Sequence, residues 1–224
     1  MDKGRIFQTR AGEIVFDARK AAFLPRSKTL LVADLHFEKG SYLQMRGHAP
    51  LPAYDTQVTL ARLFDLAADY RPDHIVALGD SFHDIEAGLR LSDLHREAIN
   101  LLISGAGNFT WILGNHDPDI PSGLKGGRED HLDIDGFFLT HMPEPPDDTQ
   151  VNICGHLHPK ARVGTPRRAI THPCFACGAQ RIIMPSFGAY TGGLYVTHDA
   201  INRELAAPKS YVLTDMKGLY HVKP

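Results

Sequence analysis

ALGDSFHD, residues 77–84, starts as a buried strand and ends in groups that need a polar partner. Ala77 and Leu78 continue the apolar run His74-Ile75-Val76, and the chain then delivers Gly79, Asp80, His83 and Asp84. A short continuous apolar run reads as a strand covered on both faces, the kind found in α/β sheets. Four more stretches share the design of an apolar strand running into a loop with Asp, Asn or His. They are VADLH (32–36), ILGNHDPD (112–119), FFLTH (137–141) and CGHLH (154–158).

Strand C-terminal ends gather along one edge of a sheet, so five such loops converge although they lie far apart in sequence. Asp34 and His36 are two apart, as are His156 and His158. With an extended backbone, each pair points one way. Taken singly, each motif has an ordinary structural reading. Asp-x-His occurs as a surface pair, Gly-Asp and Gly-Asn-His suit turns (the latter with a left-handed Asn), and His141 would be a strand-end histidine. The order of all five, each at a strand end, points to metal. Asp, His and Asn without thiolates suit Mn²⁺, Fe or Zn²⁺ rather than a thiolate-rich structural zinc site. The candidate groups are too many for one tetrahedral ion. They suit two ions roughly 3.5–4 Å apart sharing a carboxylate, a geometry that clamps a phosphate and activates water.

Around these motifs, Thr29–Ala33 and Phe109–Leu113 read as further buried strands. Residues 53–70 place apolar side chains at helical spacing up to Arg71-Pro72, and 92–104 form a helix opened by Ser92-Asp93. Beyond about residue 130, the segments 132–134, 137–140, 151–154, 181–184, 193–197, 210–214 and 218–222 read as short strands. Strand–helix alternation followed by a strand-rich half predicts an α/β sandwich of two packed sheets, as one domain over residues 1–224.

A formal charge of −2 gives no bulk electrostatic case for a polyanionic partner, whereas 13 histidines among 224 residues favour metal or proton chemistry. No stretch has the length of a membrane span, and the charged N-terminus has no apolar leader. Three scattered cysteines, Cys154, Cys174 and Cys177, make a disulfide framework unexpected, and a reducing cytoplasm is the expected location. Cys174-x-x-Cys177 lacks a second thiolate pair and reads as small core residues.

The series Asp34-x-His36, Gly79-Asp80, Gly114-Asn115-His116-Asp117, His141 and Gly155-His156-x-His158 resembles the full motif set of the calcineurin-like metallophosphoesterases. The resemblance implies a four-layer α/β/β/α sandwich of two mixed sheets and two divalent metal ions, Mn in the first place, with Fe or Zn as alternatives. It implies one metal on Asp34, His36, Asp80 and His158 and a second on Asp80, Asn115, His141 and His156, with Asp80 as the bridge. His116 would be the general acid and Asp117 would orient it. His83 stands where many members carry a second Asp. Gly-Asp-x-x-His resembles the nuclease subunit of the double-strand-break repair complex, which gives His83 a place beside the metal centre and the phosphate. A loop cap is its other reading.

ADLHFEKGSYLQMRG (33–47), GHLHP (155–159), HPCF (172–175) and MPSFGAYTGG (184–193) resemble the ligase-associated DNA-damage-response endonuclease (PdeM) family, from which Phe37-Glu38 departs. That resemblance implies a phosphodiester substrate, DNA, and a repair group containing a DNA ligase or helicase. Two other functions compete: a small-molecule or cyclic-nucleotide phosphodiesterase, favoured by the weak net charge, and a non-catalytic scaffold, disfavoured by the complete ligand set. Lys160, Arg162, Arg167 and Arg168 form the densest basic run, either a nucleic-acid contact or a solvated loop. MPSFGAYTGG is either a connection within the second sheet or a stacking surface at Tyr190. His48, His74, His95, His131, His172, His198 and His221 match no motif and read as structural or surface residues.

Overall fold

The structure is a computed structural model that describes residues 4–47, 53–165, 168–215 and 218–222. The first sheet contains β1 (Gly4–Gln8), β2 (Glu13–Asp17), β3 (Ala21–Leu24), β4 (Thr29–Val32), β5 (His74–Leu78), β6 (Asn108–Ile112) and β7 (Gly127–Glu129), in that spatial order. Its first four strands pair antiparallel and its last four parallel. The second sheet contains β8 (His131–Ile134), β9 (Phe137–Thr140), β10 (Val151–Cys154), β11 (Lys160–Thr165), β12 (Arg168–Cys177), β13 (Arg181–Ile183), β14 (Ser210–Asp215) and β15 (Gly218–Val222). Its order is β15-β14-β12-β13-β10-β9-β8, with β11 paired to β12 beside that path. Strands β9, β10 and β13 run parallel, and the other pairs are antiparallel.

Alternation along the central strands builds the layers. In β4 and β5, Leu31, Val76 and Leu78 face the other sheet, where they meet Phe137, Leu139, Ile153, Phe175 and Met184. Phe16 and Phe175 stack across this interface with ring centroids 4.1 Å apart. Leu30, Val32, Ile75 and Ala77 point the opposite way, into a core with Leu60, Leu63 and Leu66 of α2 (Asp55–Tyr70) and Ile99, Leu102 and Ile103 of α4 (Asp93–Gly105). The outer face of the second sheet is covered by Ile201 of α5 (Asp199–Glu204) together with Leu205. Two short helices, α1 (Lys39–Met45) and α3 (Ala87–Arg90), flank the strand ends. The result is the expected four-layer sandwich of two mixed sheets. Among the described residues, no helix is long and apolar enough to cross a membrane.

The helix expected over 92–104 is α4, and the Ser92 side chain accepts from the His95 amide as its N-cap. The strand expected over 193–197 does not form: Tyr195 makes a single bridge with Lys160, and a turn leads into α5. The reason is packing against the second histidine loop. A Cβ at Gly193 would sit 2.0 Å from the His158 carbonyl oxygen, so this segment serves as a backing rather than as a ladder strand.

Candidate metal centre

Strands β4, β5 and β6 are parallel neighbours, so the loops carrying Asp34, Asp80 and Asn115 leave one edge of the first sheet together. Parallel β9 and β10 bring His141 and the 156–158 loop to the matching edge of the second sheet. Two donor clusters result, Asp34/His36/His158 and Asp80/His141/His156, each with its ligand atoms within 4.8 Å of one another. They adjoin: His141 Nδ1 is 4.0 Å from Asp34 Oδ1. Asn115 joins the second cluster, its Oδ1 lying 3.0 Å from His141 Nε2.

The paired residues do share a direction, but not through an extended backbone. Asp34, His36, Asp80, His156 and His158 all have left-handed φ, between 45° and 65°. Leu35, between the first pair, is buried in the helix-side core. The chain therefore turns each ligand outward while burying the residue between. Each left-handed non-glycine residue costs about 1–2 kcal/mol, which the surrounding hydrogen bonds must over-determine. They are present. The His36 and Phe37 amides donate to Asp80 and Ser81 carbonyls, extending the β4–β5 pairing past the strand ends. The Asp34 carboxylate accepts the His156 amide at 3.1 Å on both oxygens, and Asp80 Oδ1 accepts the His116 amide at 2.9 Å. From the second sheet, Ser186 Oγ and the Gly188 amide donate to the Asp34 carbonyl at 2.9 and 3.1 Å. MPSFGAYTGG thus buttresses the ligand loops, with Phe187 buried in the core and Arg62 donating to its carbonyl. Asn115 is not among the residues with positive φ, so the left-handed turn that was the alternative to a metal ligand there is absent.

The tautomers decide what the cluster needs. His141 Nδ1 faces the Leu78 carbonyl at 3.1 Å, an acceptor only, so that nitrogen carries the proton. The Nε2 lone pair then looks at Asp80 Oδ1, 3.3 Å away. In the neutral ring, a cation between them satisfies both lone pairs, and the carbonyl bond behind the imidazole is the usual way a ligating histidine is oriented. His158 Nε2 is buried, and although 3.1 Å from Asp34 Oδ1 it is not aligned for a hydrogen bond, so no protein group satisfies it. The donor set fits divalent metal ions.

Burial favours the neutral, ligating form of two of these imidazoles, His36 and His156. His36 is driven far below the ordinary range by burial and then by the nearby His158 and Lys39. His156 is lowered by burial and by His141. His158 moves the other way: burial opposes its charge, yet the Asp34 carboxylate beside it raises its proton affinity.

His83 lies at the rim. Its Nδ1 is 3.4 Å from His36 Nδ1, and its ring stacks on His116 at 5.6 Å and 14°. Burial, then Lys39 and His116, lower it to about 4. His116 is exposed, with Nε2 4.0 Å from Asp80 Oδ2. Asp117 does not orient it. Its carboxylate is buried and accepts the Ser81 and Phe82 amides at 2.7 and 3.0 Å and the Gly114 amide at 3.1 Å. Burial, then the charge of Asp80, outweigh those bonds and raise it to about 7. Asp117 ties the β6 loop to the β5 loop, and the His83 carbonyl takes His116 Nδ1 instead, at 2.9 Å.

Of the remaining expectations, Cys154 and Cys174 are buried, and Cys174 and Cys177 face different cores, so the pair cannot converge on one ion. Lys160 lies over the Tyr195 ring at 4.7 Å, while Arg162 and Arg168 are exposed on the β11–β12 hairpin. Arg167 and His48 lie outside the described residues. His74 bonds Thr110, and His198 caps α5. Sequence reasoning gave no role to Tyr42, whose ring meets the edge of His83 at 4.7 Å. Its position three residues after Lys39, on one face of a helix, was the available signal.

The sequence pattern of the family described as "Calcineurin-like phosphoesterase" matches residues 27–153, more than half of the chain. Among solved structures, the chain is similar to the Pseudomonas putida nuclease MPE. The TM-score is 0.76 at 25% identity, over 98% of this chain and 100% of that chain. E. coli Yfce, a phosphoesterase, matches with a TM-score of 0.45 and 14% identity, over 87% of this chain and 98% of that one. No curated protein matches. With strand order, donor clusters and family pattern in agreement, the chain belongs to the calcineurin-like phosphoesterase family and is a metal-dependent phosphoesterase.

Proposed function

We propose that the chain is a single-domain, binuclear phosphodiesterase that cuts DNA in ligase-associated repair, in the cytoplasm, with manganese as its working metal. The observation that carries the metal chemistry is the pair of adjoining clusters, in which the His141 Nε2 lone pair faces Asp80 Oδ1 and the buried His158 Nε2 has no protein partner. The likeness to a protein named as a nuclease, over nearly the whole of both chains, supports the DNA substrate. The unpaired thiols of Cys154, Cys174 and Cys177 support the reducing compartment.

In this reading, Asp34, His36 and His158 would hold one ion, Asn115, His141 and His156 would hold the other, and the Asp80 carboxylate would serve both. When bound, the two ions supply an acidified water and neutralise charge on the phosphate oxygens. The protein's own groups do the rest. To act as the acid, His116 must be the doubly protonated imidazolium: its Nδ1–H stays on the His83 carbonyl, its Nε2–H passes to the leaving oxygen, and the ring is left neutral. His83 positions His116 through that carbonyl and braces His36 through its ring. Asp117 holds the Gly114 loop against Ser81 and Phe82, which sets the height of His116 over Asp80.

The test supplies metal-stripped protein with Mn²⁺. It compares bis-p-nitrophenyl phosphate, p-nitrophenyl phosphate, 2′,3′-cyclic AMP, and single-stranded and duplex DNA. Wild type runs beside Asp80→Asn and His83→Ala. Metal-dependent DNA cutting that drops by at least roughly 100-fold in Asp80→Asn supports the reading. Turnover of cyclic nucleotide with DNA left intact would keep the metal centre and replace the nuclease by a small-molecule diesterase. Activity that survives Asp80→Asn would refute the bridging role.

A further inference from the structure

We propose that the outward face of α1 and its C-cap, formed by Lys39, Tyr42 and Arg46, is the track along which a nucleic-acid strand leaves the metal centre. The inference rests on the phosphodiesterase reading above and names the path of the substrate beyond the phosphate being cut.

Residues 39, 42 and 46 are spaced i, i+3, i+7, which puts them on one side of a helix. At 1.5 Å per residue they span about 10 Å from the centre outward. The line is continuous in contacts. The Tyr42 ring meets the His83 ring at 4.7 Å, and the Arg46 guanidinium lies over the Tyr42 ring at 5.4 Å. At the inner end, the Lys39 amide donates to the His36 carbonyl at 3.3 Å, so the helix begins on the first ligand loop.

Among the described residues neither cation forms an ion pair, although the charge of Asp55 acts on half-buried Lys39, whereas the other arginine near this helix is paired. Arg90 pairs with Asp84 and donates its Nε–H to Ser41 Oγ at 3.1 Å. The acids of this region are turned inward. Glu38 is buried, accepts from Ser41 and Thr56 hydroxyls, and lies 3.8 Å from His95 Nδ1. Asp55 is buried and accepts the Gly40 amide at 2.9 Å. These bonds pin a seven-residue helix that is too short to be stable alone. With carboxylates behind and cations in front, the face suits a chain of phosphates, and Tyr42 adds a ring at the point where a base would pass. It also reconciles a chain of net charge −2 with a polyanionic substrate, since the positive charge is local.

The test measures binding of a 5′-fluorescein-labelled single-stranded oligothymidylate to metal-stripped protein by fluorescence anisotropy across a salt series. Wild type is compared with Arg46→Ala, Lys39→Met/Arg46→Ala and Arg46→Lys. The slope of log affinity against log salt is expected to become shallower by about 0.7 for each cation removed and to be kept by Arg46→Lys. With Mn²⁺ restored, the ratio of oligonucleotide cleavage to bis-p-nitrophenyl phosphate hydrolysis should fall roughly tenfold in Arg46→Ala. Arg46 is exposed, so folding is not at stake in that variant. Slopes and ratios equal to wild type overturn the track alone, provided wild type hydrolyses the oligonucleotide. A wild type that hydrolyses no phosphodiester overturns the parent reading and the track with it. Polyglutamate competing as well as the oligonucleotide, charge for charge, would make the face an acidic-peptide surface and overturn the proposal.

Discussion

His116 Nδ1 lies 2.9 Å from the carbonyl oxygen of His83. A carbonyl only accepts, so the neutral ring keeps its proton there and turns Nε2 toward Asp80, 4.0 Å from Oδ2. The backbone of the β5 loop, which carries the bridging candidate, also sets the tautomer of the candidate acid carried by the β6 loop.

If His116 protonates the leaving oxygen, His116→Gln lowers kcat by roughly 10²–10⁴-fold, most for leaving groups of high pKa. The check is a series of aryl and alkyl phosphodiesters, plotting log kcat against leaving-group pKa. A steeper line in the variant is expected. Parallel lines would assign His116 to binding.

Asp117 is a buried carboxylate that accepts three backbone amides. Asp117→Ala leaves those donors unsatisfied and should cost about 3 kcal/mol or more. Asp117→Asn, which keeps an acceptor, should cost less. Urea unfolding of metal-stripped protein separates them. A cost under about 1 kcal/mol for Asp117→Ala would mean that water reaches the amides.

Gly114 has no room for a side chain: a Cβ there would lie 2.3 Å from both the Asp80 amide and Asp80 Oδ1. Gly114→Ala therefore displaces the bridging candidate without removing a ligand. Metal content and diesterase activity should fall together, by roughly 10–100-fold, the scale of errors in the shell supporting a metal. Full metal content by mass spectrometry would show that Asp80 yields without consequence.

Away from the centre, Lys20 is lowered from 10.5 to about 8 by burial and then by Arg62. Between pH about 8 and about 10.5 the unfolded chain holds this proton and the folded one does not, so stability rises with pH there. It is lost again as pH falls through about 8. Lys20→Met should stabilise the protein at pH 7, and that gain should vanish above about pH 10.5. Urea midpoints across the range check the sign. A gain that does not depend on pH would trace to packing instead.

The sequence by itself determined the strands that run into ligand loops and the ordered set of Asp, His and Asn residues. Those features are written locally, in apolar runs such as Ile75–Leu78 and in the residues that follow them. Weakly patterned pieces were not legible. The hairpin of β1 and β2, the exposed three-residue β7, and helices α1, α3 and α5, of at most seven residues, carry too few periods to read. Tertiary structure alone decided the rest. Left-handed backbone at Asp34, His36, Asp80, His156 and His158 is imposed by loops bonded to one another across the strand ends. Asp117 answers to amides 35 and 36 residues away, not to the neighbouring His116. Residue type states which atoms can bind or donate. Which atoms they meet depends on segments joined only by the packing of two sheets, and local sequence carries no record of that distance.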